Sequence, residues 1–126
     1  MDSPTLTLIM IVKNESKIIE RCLNSVKDYV DYIVISDTGS TDNTPEIIEC
    51  YLSKNNIRGT VYRDQWENFG YNRTKSLTNG QDWLDKQNIE KTKNYFITID
   101  ADMILVFNNF NKKQLLEKQS WSLLQM

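Results

Sequence analysis

Histidine is absent from the 126 residues of the chain. Without an imidazole, Ser-His-Asp and Cys-His catalysis and histidine-ligated metals are closed to anything the chain does alone. Cysteine is scarce too: Cys22 and Cys50 lie far apart, each among apolar neighbours of an expected helix, and both read as buried free thiols rather than a disulfide. Long hydrophobic runs are missing. The longest, Leu6 to Val12 broken by Thr7, is too short to cross a bilayer, and no basic flank or cleavage site precedes it, so the expectation is a cytoplasmic chain without a membrane segment. In that setting the glycosylation triplets Asn14-Glu15-Ser16 and Asn72-Arg73-Thr74 have little weight. A basic patch is also lacking. With a net charge of -2 and a pI of about 5.1, Lys and Arg are scattered among acids, which argues against a nucleic-acid partner.

What is there is oxygen chemistry. The chain is 40% hydrophobic, enough for one core and one domain, residues 1–126. Asp100 and Asp102 directly follow the apolar run Tyr95-Phe96-Ile97-Thr98-Ile99, so a strand ending there delivers two close carboxylates to the rim of a sheet. A bound cation explains such a pair best, and oxygen ligands suit magnesium or manganese; two acids at a solvated strand end are the alternative. Asp37 follows Tyr32-Ile33-Val34-Ile35-Ser36 in the same manner. Open sheets bind ligands at the carboxyl ends of their strands, so the pattern implies a crevice for a metal and a phosphorylated ligand.

Strand and helix patterns alternate along the chain. Leu6 to Val12 reads as a central strand covered on both faces. Ser16 to Val30 places Ile18, Ile19, Cys22, Leu23 and Val26 on one helical stripe. Tyr32 to Ser36 is a second strand, Asp37 to Asn43 a turn-rich loop, and Thr44 before Pro45 predicts an N-cap and first helical position, with Ile47, Ile48, Tyr51 and Leu52 buried. Gly59 to Tyr62 is a short third strand. A further helix is expected from Glu67 to about Leu84 on the positions Phe69, Arg73, Leu77 and Leu84, although Gly70 and Gly80 blur its ends. Asp85 to Asn94 reads as a surface loop, Tyr95 to Ile99 as the fourth strand, Lys112 to Lys118 as a short helix, and Ser120 to Met126 as the start of another strand. This order implies parallel strands joined by crossovers in an α/β fold.

Four segments together carry a resemblance. Leu8-Ile9-Met10-Ile11-Val12-Lys13-Asn14-Glu15, Ser36-Asp37-Thr38-Gly39-Ser40-Thr41-Asp42-Asn43-Thr44, Trp66 to Leu77, and Ile99-Asp100-Ala101-Asp102 fall in the order and spacing of family 2 glycosyltransferases of the GT-A fold. The chain resembles the N-terminal, nucleotide-sugar-binding half of these enzymes. The resemblance implies a Rossmann-like fold with a mainly parallel central sheet flanked by helices, here C-terminally truncated. It implies that Asp37 hydrogen-bonds a uracil-like N–H edge, which a carboxylate suits because it only accepts; an Asx-turn shaping the Gly39 loop is the other reading. Thr38, Gly39, Ser40 and Thr41 are expected to shape this loop rather than to touch ligand. Lys13, Asn14 and Glu15 would lie against the nucleoside, or else form a polar loop that begins the next helix. Arg73 would meet the base and diphosphate, a task suited to a guanidinium, or be a solvated surface arginine. Asp100-Ala101-Asp102 would face the ribose and metal, with Asp102 the leading ligand of Mn2+ or Mg2+ and Asp100 beside it.

The implied activity is metal-dependent transfer of a sugar from a nucleotide sugar, a UDP-sugar, to an unknown acceptor hydroxyl, with inversion at the anomeric carbon. The family's general base and acceptor pocket lie beyond the metal motif, so no catalytic base is assigned in this chain. A non-catalytic nucleotide-sugar-binding module, or one part of a larger glycosyltransferase, is the alternative, and a homo-oligomer that buries an uncovered sheet face is a further expectation. Other classes fit poorly. A haloacid-dehalogenase-type phosphatase wants Thr or Ser where Ile104 stands, Gly-x-Gly-x-x-Gly and Walker A motifs are missing, and the acidic pI counts against a topoisomerase-primase domain.

Overall fold

A computed structural model describes residues 5–89 and 94–101, together with the backbone of 123–125. The elements run β1 (Thr5–Val12), α1 (Ile19–Val26), β2 (Tyr32–Asp37), α2 (Thr44–Lys54), β3 (Arg58–Arg63), α3 (Phe69–Lys86), β4 (Asn94–Thr98) and β5 (Leu123–Gln125). They build one sheet in the order β3-β2-β1-β4-β5. β1 pairs in parallel with β2, from Thr7↔Tyr32 to Val12↔Asp37, and with β4, from Thr5↔Asn94 to Ile9↔Thr98; β3 adds in parallel to β2, while β5 closes on β4 antiparallel.

The continuous apolar run of β1 is explained by its central place, since both of its faces are covered. On one face Leu6, Leu8, Met10 and Val12 pack with Ile19, Cys22, Leu23 and Val26 of α1 and with Ile48, Tyr51 and Leu52 of α2. On the other, Ile9, Val34 and Phe96 pack with Trp83 and Leu84 of α3. The result is three layers, helix on sheet on helix. Thr7 interrupts the apolar run with its hydroxyl paired: it donates to the Asn94 carboxamide oxygen at 2.8 Å, and Thr5 does the same at 2.9 Å, while Asn94 Nδ2 is buried with no partner among the described residues.

Several elements differ from expectation for identifiable reasons. α1 is confined to Ile19–Val26, with turns on either side. In α2 Thr44 is the first helical residue and Asn43 the N-cap, because the Thr44 hydroxyl is engaged with a neighbouring loop. Cys50 is exposed, not buried: with Ile48, Tyr51 and Leu52 facing the core, position 50 falls on the solvent side of the helix. α3 passes through Gly70 and Gly80 and ends at Lys86. A Cβ at Gly80 would stand 2.9 Å from Phe96 and 3.0 Å from Ile9, so the glycine lets the helix settle closely on the sheet. The segment expected to be a loop from Asp85 to Asn94 therefore begins in α3 and ends in β4, where Asn94 is buried. The expected helix at Lys112 to Lys118 lies outside the described residues.

Candidate functional site

The chain winds from β1 outward to β2 and β3, then returns to the other side of β1 with β4. The carboxyl ends of β1 and β4 are thus the point where the winding reverses, the place at which open α/β sheets hold ligands. An open cleft of about 820 Å³ lies there. Ile9, Ile11 and Val12 of β1 with Thr98 of β4 form its mainly apolar floor, and Phe69, Arg73, Thr74, Ser76 and Leu77 of α3 form one wall. Lys13, Glu15, Thr38, Trp66, Ile99 and Asp100 complete the lining.

Of the residues singled out from the sequence, the fold brings Lys13, Glu15, Arg73 and Asp100 to this cleft. Lys13, Arg73 and Asp100 are exposed and Glu15 half-buried, so two cations and two carboxylates are available to a ligand from solvent. The Arg73 guanidinium stands 5.1 Å from the centroid of the Phe69 ring, a cation–π contact between two residues of the cleft lining. The backbone carbonyl of Asp100 accepts from the Cys22 thiol at 3.6 Å, tying the end of β4 to α1.

Asn14, Asp37 and Ala101 sit beside the cleft rather than in its lining. Asp37 is 3% exposed, and its carboxylate accepts from the backbone N–H of Gly39 (3.0 Å) and Ser40 (2.8 Å) and from the Ser40 hydroxyl (2.6 Å). This is the loop-shaping Asx arrangement. Asn14, at a left-handed φ of 54°, turns its carboxamide oxygen to the N–H groups of Thr41 (2.8 Å) and Asp42 (3.2 Å), while its own N–H donates to Ser40 Oγ (2.8 Å). Ala101 is buried in the core shared with α1. Asp102 lies outside the described residues.

Further bonds join the same two loops. The Glu15 N–H donates to Thr44 Oγ1 at 2.9 Å, and the Thr44 hydroxyl donates to Asp42 at 2.5 Å. That hydroxyl, ahead of the other contributions, holds the Asp42 carboxyl below its ordinary value of 3.8. The loop carrying Lys13 and Glu15 is therefore fixed to the loop after β2 by polar contacts of both side chain and backbone.

Thr38, Trp66, Phe69, Ser76, Leu77 and Thr98 are lining residues that sequence reasoning did not single out as site residues. A signal existed for part of the α3 wall. Phe69, Arg73, Ser76 and Leu77 follow the i, i+4, i+7, i+8 spacing of one helical face, and Trp66 and Phe69 remain 45% and 58% exposed, unusual for large apolar side chains.

The oxygen donors at the cleft fit a hard cation. Magnesium commonly takes one or two protein carboxylates and completes its shell with substrate phosphates and water; Asp100, with Asp102 two residues on, matches that number. Among the described residues no three His, Cys, Asp or Glu are grouped to hold a metal by themselves. Also among the described residues, no helix is long and apolar enough to cross a membrane.

Known proteins resemble the chain in sequence and in fold. Among curated proteins, the chain is 39% identical over 113 residues to the SPbeta prophage-derived glycosyltransferase SunS of Bacillus subtilis (strain 168), a match spanning 88% of this chain and 23% of SunS. It is 29% identical over 117 residues to an uncharacterized glycosyltransferase of Rickettsia felis, covering 90% of this chain and 38% of that protein. The chain thus spans under two fifths of the length of either relative. Its fold is similar to that of S. aureus TarS residues 1–349, with a TM-score of 0.59 at 24% identity over 90% of this chain and 30% of that one. A TarS structure in complex with UDP gives a TM-score of 0.53 at 24% identity, covering 78% and 27%. The family model for "Glycosyl transferase family 2" matches residues 7–115, a stretch that includes both strand ends, the α3 wall and the Asp100-Ala101-Asp102 motif. With four of the expected residues at one cleft and most of the chain matched, the chain belongs to glycosyl transferase family 2.

Proposed function

We propose that the chain is the donor-binding part of a glycosyltransferase that moves a sugar from a UDP-sugar to an acceptor hydroxyl with Mn2+ or Mg2+ as cofactor. The observation that carries this reading is the convergence of Lys13, Glu15, Arg73 and Asp100 on the cleft at the winding reversal. Lys13 and Arg73 suit the two phosphates of a nucleotide sugar, Arg73 through bidentate N–H donation. Asp100 and Asp102 would hold the cation, which when bound offsets charge on the departing nucleoside diphosphate. Glu15, a carboxylate at the end of the β1 loop, suits a ribose or sugar hydroxyl as acceptor. Asp37 keeps lone-pair capacity on Oδ2 beyond its contact with Ser40, and that oxygen is our candidate for the uracil imide N–H. Asn14 acts from behind, by keeping Lys13 and Glu15 in place. Inversion at the sugar rests on family resemblance.

Calorimetric titration of the chain with UDP, GDP and ADP, with Mn2+ and then with chelator, tests the reading. UDP-selective binding that weakens on chelation is expected. Failure to bind any of the nucleotides would overturn it, and UDP binding without transfer or donor hydrolysis would identify a binding module instead.

A further inference from the structure

α3 turns a polar stripe toward the sheet, Asn72, Ser76 and Asn79, at 1%, 3% and 3% exposure. Two of the three are paired within the protein. Asn72 accepts from the Glu67 N–H at 2.8 Å and donates to the Gln65 carbonyl at 3.0 Å, while Asn79 donates to Ser36 Oγ at 2.9 Å and to Asp64 at 2.7 Å. Among the described residues the Ser76 hydroxyl has no hydrogen-bond partner. Serine in a helix can bond the carbonyl one turn back, as Thr78 does to Thr74 at 3.1 Å, yet Ser76 does not. It is also the one member of the stripe that lines the cleft. A buried hydroxyl left without a partner is destabilising, so its persistence at a ligand cleft points to a partner that arrives with the ligand.

We infer that Ser76 is a ligand-contacting, specificity-determining residue whose hydroxyl hydrogen-bonds the neutral nucleoside end, base or ribose, of the bound nucleotide sugar. This rests on the nucleotide-sugar reading above and assigns a residue within it. The nucleoside is chosen over the diphosphate on electrostatic grounds. Ser76 is buried and shares the lining with Ile9, Ile11 and Leu77, a setting that disfavours bringing in formal charge, whereas the charged side chains Lys13, Arg73 and Asp100 are exposed.

The test is Ser76→Ala in the intact chain, titrated with uridine and with UDP, and melted without ligand. Both dissociation constants are expected to rise by a common factor, about tenfold for one lost hydrogen bond. The ligand-free melting temperature should equal or exceed that of wild type, because an unpaired buried hydroxyl has been removed. Unchanged affinity for uridine and UDP would overturn the inference. So would a lowered ligand-free melting temperature, which would reveal a structural partner within the protein. Wild type that binds neither ligand would instead overturn the nucleotide reading beneath it, a result separable from the other two because it precedes the variant.

Discussion

Asp37 has both carboxylate oxygens accepting hydrogen bonds while only 3% exposed, and this fixes what its substitution does. Asp37→Ala strands two backbone N–H groups at the end of β2, an expected loss of about 1–3 kcal/mol, read as a lower urea midpoint at unchanged slope. Asp37→Asn retains one acceptor oxygen for Gly39 and Ser40 and places an N–H donor where the imide N–H would have to donate. It should therefore keep more stability than the alanine variant while losing UDP affinity. UDP affinity unchanged in a folded Asp37→Asn protein would limit Asp37 to shaping its loop. Arg73 is the opposite case, because it is exposed and stacks on Phe69. Arg73→Ala should shift stability by no more than about 0.5 kcal/mol. Its UDP affinity should fall by at least tenfold if a charge-assisted bond of about 1.5–3 kcal/mol is lost, with uridine affinity preserved. An equal loss for uridine and UDP would remove the phosphate assignment.

At the scale of elements, the loops after β1 and β2 behave as one unit because Asn14 bridges them from a left-handed conformation. Asn14→Ala gives up the bridge and adds strain at a positive φ, whereas Asn14→Gly gives up the bridge alone, so thermal melts should rank wild type above Gly and Gly above Ala. Acid should loosen the same unit. Asp42 has its folded pKa depressed below 3.8, chiefly by the Thr44 hydroxyl, so its contribution is present above that value and is lost as pH falls through the lower folded one. Strands were the legible elements, since β1, β2 and β4 are covered on both faces and appear as largely apolar runs. Helix limits were less legible because distant residues set them. Gly80 looks like a helix breaker until Phe96 and Ile9 occupy the space its missing side chain leaves, and Asn94 looks like loop until Thr5 and Thr7 bind its carboxamide. Gly59 is similar on β3: an added Cβ would run into the backbone carbonyl of Ile33, so the edge strand could not keep its register there.

For the molecule as a whole, the cleft is a product of winding order, with β1 held between β2 and β4 and α3 laid across the face opposite α1 and α2. Of the acids that end apolar runs, Asp100 was legible as a cleft residue, because β4 delivers it to the rim of the sheet, whereas Asp37 ends β2 buried beside the cleft. The α3 wall was legible only as a helical face that includes Arg73: its lining side chains include the apolar Phe69 and Leu77, which spacing alone does not distinguish from core, and Ser76, whose lack of a partner among the described residues is a fact of three-dimensional packing. Because the cleft exists only when β1, β4 and α3 are assembled together, a ligand that fills it binds the folded state and stabilises the entire chain by mass action. UDP with Mn2+ at one hundred times its dissociation constant should add about 2.7 kcal/mol, which for a domain of this size is a rise in melting temperature of roughly 8–14 °C. Chelation separates the contributions. If Asp100 and Asp102 hold a cation against the diphosphate, chelator should cut the shift given by UDP while leaving the shift given by uridine unchanged. Equal UDP shifts with and without chelator would mean that these two carboxylates act without a metal, and the cofactor assignment would be withdrawn while the nucleoside site stood.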